Sequence, residues 1–177
     1  MAESIKQMFE TLAKYNSITN QEIITILEGM EPDKLTKDFG SYFGSILGIL
    51  NHQVQADILW LRGYGKNISS LDFVLPILGK IHTERKPPKE LQWSNLEDYK
   101  SVRVEIDKLM ERVVETLSPN QYTLMLKMED HRGSIEFVTW RYLLHLFNHH
   151  THHRGGVAVL LDQLKVKNEF SNILWKK

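Results

Sequence analysis

Five of the chain's eight histidines lie within nine residues, from His145 to His153. Imidazole is the commonest metal-binding side chain in proteins, and an α-helix places residues four apart on the same face. If this segment is helical, His149 and His153 form an H-x-x-x-H pair that could bind one ion. His52 is the best candidate for a third ligand. The sequence therefore predicts a metal site built from three histidines on two helices.

Spacing leaves the choice of the helical pair open. At about 100° per residue, four of the five clustered histidines share one face of the helix and only His150 points away from it. By spacing alone, His145 and His149 could chelate an ion as well as His149 and His153. A lone buried histidine is commonly a hydrogen-bonded core residue, but five in nine residues on an amphipathic helix favour metal binding.

The type and number of ligands indicate which chemistry the ion would support. Imidazole ligands suit zinc, nickel or another borderline divalent ion better than magnesium or calcium, which prefer oxygen. Three histidines without an obvious fourth ligand leave a coordination position for water or substrate, as in catalytic sites. An ion bound there could lower the pKa of a water or of a substrate thiol toward neutrality.

Two charged residues near the histidines are weaker candidates for functional contacts. Arg154 could pair with a substrate carboxylate, and a salt bridge inside the bundle is an equal alternative. Asp57 could accept a hydrogen bond from a ligand histidine, although a surface position is favoured because Asp is mostly exposed in proteins. Gly155 and Gly156 would each cost a helix about 1 kcal/mol relative to Ala, and a close helix–helix approach is the expected compensation.

Hydrophobic periodicity predicts four helices that would carry these residues. They cover residues 4–30, 41–64, 95–117 and 139–164. A break is predicted at residues 17–20 in the first helix, and Asn95 with an acidic first turn begins the third. His52 lies among the core positions of the second helix and can face inward. The four tryptophans are expected to be packing residues.

Less regular segments join the predicted helices. Residues 66–93 show no sustained period and predict a long connection with a short helical piece near residues 71–78. Residues 122–128 and 134–138 indicate a small β-hairpin before the last helix. The C-terminal tail is expected to dock through its apolar side chains Phe170, Ile173, Leu174 and Trp175. The expected fold is an all-α four-helix bundle with one long crossover, in which facing helices build the metal site.

Composition restricts the functional classes. The 177 residues fit a single domain spanning 1–177, with 42% hydrophobic and 25% charged residues. The 22 basic residues cancel the 22 acidic ones, so nucleic acid and anionic membrane are not expected partners. No apolar run approaches the roughly 18 residues that span a bilayer, and the N-terminus lacks the apolar region of a signal peptide. The absence of cysteine excludes a disulfide framework and a thiolate nucleophile. We therefore expect a cytoplasmic protein that acts on a small-molecule substrate.

These residues together resemble the DinB family of damage-inducible proteins, the DinB/YfiT-like metalloenzymes, which are unrelated to the translesion polymerase of the same name. The resemblance rests on Tyr15-Asn16, on residues 43–52 ending in Leu-Asn-His, on residues 56–61 and on residues 144–155. The last segment contains the N-H-x-x-x-H-R-G pattern and is the most specific. The match covers about residues 15–164, which is most of the chain.

The resemblance implies a four-helix bundle, often a homodimer, with a divalent metal held by three histidines. The family's first ligand falls on His52, and its second and third fall on His149 and His153. His145 and His152 would then have supporting roles. This implied ligand set selects one of the two pairs that spacing leaves open.

The resemblance also implies a chemistry. Related proteins of assigned activity are transferases and isomerases that use low-molecular-weight thiols such as bacillithiol or mycothiol. By analogy the metal would favour the thiolate form of the cofactor and so supply the nucleophile that a cysteine-free chain lacks. The leading interpretation is a metal-dependent thiol S-transferase acting on small electrophiles, with His152, Asp57 and Arg154 as weaker candidates for substrate or orienting contacts. The alternatives are a metal-dependent hydrolase and a non-enzymatic metal-binding stress-response protein. Where the family usually has Gln after Arg-Gly, this chain has Gly156, so any role of that Gln would be lost or moved.

Overall fold

The computed structural model describes residues 2–84, 86–130 and 133–176. Within these ranges the chain forms six α-helices and one antiparallel pair of strands. They are α1 (Ala2–Glu28), α2 (Pro32–Thr36), α3 (Ile46–Asn67), α4 (Val74–Leu78), α5 (Leu96–Thr116), β1 (Met125–Asp130), β2 (Gly133–Val138) and α6 (Thr139–Gln163). The predicted all-α fold with a small hairpin before the last helix is confirmed.

The four long helices form a closed bundle. Helix α1 packs against α5 and α6, and α3 packs against the same two helices. The apolar faces of all four meet in one core, which buries residues such as Phe9, Leu50, Ile106 and Leu161 completely. The metal-site residues predicted from the sequence lie on the neighbouring helices α3 and α6. None of the helices in the described ranges is both long and apolar enough to span a bilayer.

Helix α3 begins later than the sequence predicts. The expected start at residue 41 is wrong because residues 41–44 form a tight turn, in which the Gly44 amide donates to the Ser41 carbonyl at 3.0 Å and Gly44 has φ +75°. Ser45 then caps the helix by accepting a 3.0 Å hydrogen bond from the Gly48 amide. A Cβ on Gly48 would lie 2.0 Å from the Phe43 carbonyl oxygen, so only glycine allows this turn to fold back on the helix.

Helix α1 continues through the residues where a break was predicted. The polar side chains at residues 17–20 suggested a helix end, but Thr19 and Asn20 are buried in the bundle. Thr19 Oγ1 donates to the Tyr15 carbonyl at 2.8 Å, and Asn20 Nδ2 donates to Asp107 on α5 at 2.9 Å. Because these polar groups find partners inside the bundle, the helix has no need to end there.

The segments between the helices are close to their predictions. The long connection contains a 3₁₀ turn and α4, and the α5 cap is confirmed by a 2.9 Å hydrogen bond from the Asp98 amide to Asn95 Oδ1. The first strand begins at Met125 rather than at residue 122, and Met125 pairs with Val138; residues 131 and 132 lie outside the described residues. Tail docking is correct only in part, since Phe170 is buried whereas Leu174 and Trp175 are each 77% exposed.

Candidate metal centre

Three histidine side chains converge between α3 and α6. His52 comes from α3, and His149 and His153 come from successive turns of α6. The Nε2 atom of His149 lies 3.1 Å from Nε2 of His52 and 3.0 Å from Nε2 of His153. Each residue offers one ligand atom, and these three atoms all lie within 4.8 Å of one another. The first two side chains are half-buried, and His153 is buried. The structure therefore brings together the three histidines of the predicted site.

The two distances from His149 Nε2, 3.1 Å to His52 and 3.0 Å to His153, fit the binding of a single metal ion. Two nitrogens that each lie about 2.1 Å from one ion are about 3.4 Å apart at a tetrahedral angle and about 3.0 Å apart at a right angle. Without a cation, the Nε2 atom of His149 can share a proton with only one neighbouring nitrogen at a time. An ion would be bound by all three lone pairs. The geometry is thus that of a three-nitrogen site, and His52, His149 and His153 could hold a divalent metal.

The electrostatic environment favours the neutral, metal-binding form of the three imidazoles. Burial, together with repulsion from the facing His153 and His52, lowers the pKa of His149 to about 3. Burial, with repulsion from His52, lowers the pKa of His153 to about 4. Burial also lowers the pKa of His52, and the charge of Asp57 partly opposes this. Lone pairs are therefore available at neutral pH.

Two aromatic rings pack against the three imidazoles. Phe43 stacks on His52 with ring centroids 4.3 Å apart and meets His153 edge-on at 5.4 Å. Trp60 meets His149 edge-on at 4.8 Å. The expectation that the tryptophans serve only as packing residues is thus incomplete for Trp60, which contacts a candidate ligand. The three neutral imidazoles are thus bordered by the half-buried aromatic side chains Phe43 and Trp60.

Asp57 lies beneath the histidines, and the favoured surface position for it is wrong. The side chain is fully buried because its two oxygens have strong partners on other helices. Oδ1 lies 2.7 Å from Nε2 of His150, and Oδ2 accepts a 2.6 Å hydrogen bond from Arg103 Nη1. Burial raises the pKa of Asp57, but His150 and Arg103 more than offset this, so the pKa is lowered and the group is anionic. Asp57 thus contacts the histidine next to a candidate ligand rather than the ligand itself.

Arg154 faces the bundle interior. Its Nη1 donates a 2.6 Å hydrogen bond to Asn16 Oδ1, and its guanidinium lies over the ring of Tyr15 at 4.9 Å. Because the residue is only 4% exposed, it is not placed to receive a substrate carboxylate at the histidine cluster. The predicted alternative, a salt bridge inside the bundle, is not observed among the described residues either, because the partners Asn16 and Tyr15 are neutral side chains.

The remaining residues of the cluster lie around the three ligands. His152 is exposed, and its ring lies 4.9 Å from that of His153. His145 is exposed and packs against Trp60 rather than against the other histidines. Gly156 lies against α3, where an added Cβ would be 3.4 Å from the Ile49 side chain, whereas an added Cβ on Gly155 would meet nothing within 4 Å. The predicted close approach therefore holds for Gly156 alone.

Sequence reasoning missed the aromatic frame and the polar residues below the site. Phe43 precedes its helix, in a loop without periodicity, and nothing local marks its contact with His52. Arg103 and Asp107 are oppositely charged residues four apart, a spacing that by itself is typical of an exposed helical pair. A signal did exist for His150, because a side chain turned away from the histidine face of a buried helix must point into the bundle.

Comparison with known proteins shows the family of the chain. The sequence model of the DinB family matches residues 1–177. Protein DinB of Bacillus subtilis (strain 168) is 27% identical over 154 residues, which are 86% of this chain and 83% of that protein. The match spans the whole sequence, including both helices that carry the three converging histidines. The chain belongs to the DinB family.

Proposed function

We propose that this chain is a metal-dependent S-transferase that joins a low-molecular-weight thiol to a small apolar electrophile. His52, His149 and His153 would hold the ion, with zinc and nickel the preferred metals. The proposal includes a cytoplasmic location and the homodimeric assembly that the family resemblance implies. The main supporting observation is the convergence of three neutral imidazole nitrogens, with no carboxylate among the ligand atoms that the described residues bring together.

The charge balance of this ligand set supports an anionic partner. Three neutral imidazoles leave the two positive charges of a divalent ion uncompensated, and a bound ion of this kind favours the deprotonated form of a thiol beside it. The carboxylate of Asp57 acts on the pKa values of all three imidazoles, but its oxygens are engaged with His150 and Arg103. A thiolate would supply the missing negative charge.

The surroundings of the histidines support an apolar second substrate. Phe43 and Trp60 offer ring surface beside the imidazoles. Arg154 is turned toward Asn16, so this arginine is unavailable to an acidic group at the site. Half-buried aromatic side chains bind planar, weakly polar molecules well. The two substrates would therefore differ in character, one anionic and one apolar.

The position of Asp57 favours thiol transfer over hydrolysis. A hydrolase gains from a base within hydrogen-bond reach of the attacking water. Asp57 is fully buried and hydrogen-bonded, so it is not free to take a proton at the surface of the site. A thiol is already substantially more acidic than water and needs less help from such a base.

The first experiment is metal analysis of untagged protein by mass spectrometry, for the wild type and His52→Ala side by side. We expect about one ion per chain in the wild type and its loss in the variant. No metal in either protein after reconstitution would overturn the proposal at its first step.

The second experiment measures thiol transfer by the metal-loaded protein, with 1-chloro-2,4-dinitrobenzene as the electrophile and cysteine, glutathione or bacillithiol as the thiol. In this reaction a carbon–sulfur bond forms, chloride leaves and the thiol proton passes to solvent. Trp60→Leu should raise KM for the electrophile, and Trp175→Leu, an exposed tryptophan of the tail, is the matched control. Turnover of an ester without thiol would indicate a hydrolase instead, and metal binding without any turnover would indicate a non-enzymatic protein.

A further inference from the structure

Beneath the three histidines, buried polar side chains join all four long helices. Asp57 of α3 contacts His150 of α6 at 2.7 Å and Arg103 of α5 at 2.6 Å. Arg103 Nη2 lies 2.8 Å from Asp107 Oδ1, one turn further along α5. All four side chains are almost completely buried, with Asp107 the most exposed at 6%. Burying this many polar groups is costly unless they are paired, so the arrangement must have a definite geometry.

Further hydrogen bonds connect α5 to α1, and α1 in turn to α6. Asp107 accepts hydrogen bonds from Asn20 Nδ2 at 2.9 and 3.2 Å, and Asn16 Nδ2 lies 3.4 Å from its Oδ1. Asn16 Oδ1 in turn accepts a 2.6 Å hydrogen bond from Arg154. These side-chain contacts thus attach helix α6 to the interior through His150 and Arg154.

These two attachment points follow the candidate metal ligands by one residue each. His149 is followed by His150, and His153 by Arg154. Both pairs have the i, i+4 spacing of one helical face, and the two faces are about 100° apart. When His150 and Arg154 point into the bundle, His149 and His153 must point toward α3. The interior pair therefore sets the rotation of the helix that carries the ligand pair.

We propose that Asp57, His150 and Arg154 are positioning residues for the metal site, which hold α6 at the rotation where its two ligand nitrogens meet the one from α3. This inference rests on the proposed metal site and deepens it. A rotation of α6 by about 10° would move a nitrogen about 6 Å from the helix axis by about 1 Å, whereas metal–ligand distances vary by only about 0.2 Å. Small losses of rotational control would therefore weaken metal binding while leaving the bundle folded.

The test compares two substitutions that remove one buried carboxylate each. Asp57→Asn alters the direct contact with His150 on α6. Asp107→Asn alters the contact with Arg103, which lies on the same helix as Asp107. Asp107 reaches α6 only indirectly, through Asn16 across the long 3.4 Å contact or through Arg103 and Asp57, so Asp107→Asn is the matched control. Both changes should lower the melting temperature. Only Asp57→Asn should weaken zinc binding, by about 10- to 100-fold in a chelator competition assay below the melting transition.

A second readout reports coordination geometry directly. The visible absorption of bound Co²⁺ depends on the number and arrangement of its ligands, and a merely stabilising residue would leave it unchanged. We expect a changed cobalt spectrum for Asp57→Asn and a wild-type spectrum for Asp107→Asn. If Asp57→Asn does not fold, Arg154→Met provides the test, because it removes the hydrogen bond to Asn16 and leaves an unbranched apolar side chain beside Tyr15.

The possible outcomes separate this inference from the proposed function. A wild-type protein that binds neither zinc nor cobalt would refute the metal site itself. A wild-type protein that binds both, with unchanged affinity and spectrum in Asp57→Asn or in Arg154→Met, would overturn the positioning role alone. An equal loss of affinity in Asp107→Asn would show that the buried polar side chains act on overall stability, and this too would overturn it.

Discussion

Replacing His149 by Ala is the most direct test of the candidate metal centre. Its Nε2 atom is the one that lies close to both other ligands, 3.1 Å from His52 and 3.0 Å from His153. Removing it leaves two nitrogens on different helices. The substitution therefore removes the shared member of the site, rather than a peripheral one.

The expected loss can be worked out from the number of ligands. Four-ligand zinc sites have binding free energies of about 10–16 kcal/mol at pH 7, so one ligand contributes about 2.5–4 kcal/mol. This corresponds to an affinity about 100- to 1,000-fold weaker for His149→Ala. The metal-free fold should change much less, because the variant also removes a half-buried imidazole whose Nδ1 has no hydrogen-bond partner among the described residues.

The assay is a competitive zinc titration against a chelator at pH 7.5, with circular dichroism of the metal-free protein to confirm folding. His145→Ala and His152→Ala are matched controls, since both are exposed histidines of α6 outside the three-nitrogen cluster. We expect wild-type affinity for both. An unchanged affinity in His149→Ala, or an equal loss in either control, would refute the ligand assignment.

Three further predictions follow from the buried groups and the helix cap. Because the pKa values of His149 and His153 are lowered to about 3 and 4, their neutral forms should persist as the pH falls. In NMR titrations of the metal-free protein, neither ring should protonate between about pH 8 and pH 5. A titration midpoint near the usual 6.5 would contradict this expectation. Arg103→Ala leaves two buried aspartates without their cation and should lower the free energy of unfolding by about 3–5 kcal/mol in urea denaturation, so a loss below about 1 kcal/mol would argue against the pairing. Asn95→Ala should cost about 1 kcal/mol in the same measurement while Asn95→Ser, which can still cap, should cost less, and equal losses would contradict the cap.

Several parts of the fold could be predicted because their signals are local. The start of α5 follows from Asn95 and the acidic turn after it, and the short helix in the long connection follows from a brief apolar period. The H-x-x-x-H spacing likewise places two imidazoles on one face of α6. Predictions from local sequence were wrong where a side chain has a partner far away in the chain. The polar side chain of Asn20 suggested a helix end, but it pairs with Asp107 inside the bundle.

By itself the sequence determined that the chain is helical, that it lacks cysteine chemistry and that one helix carries histidines four apart. Helical spacing could not distinguish the pair His145 and His149 from the pair His149 and His153, and the family resemblance only implied the second pair. Tertiary structure decided between them, since His52 lies opposite the second pair while His145 packs on Trp60. The physical reason is that spacing along one helix depends only on backbone geometry, whereas a site between helices depends on how two helices are rotated and aligned.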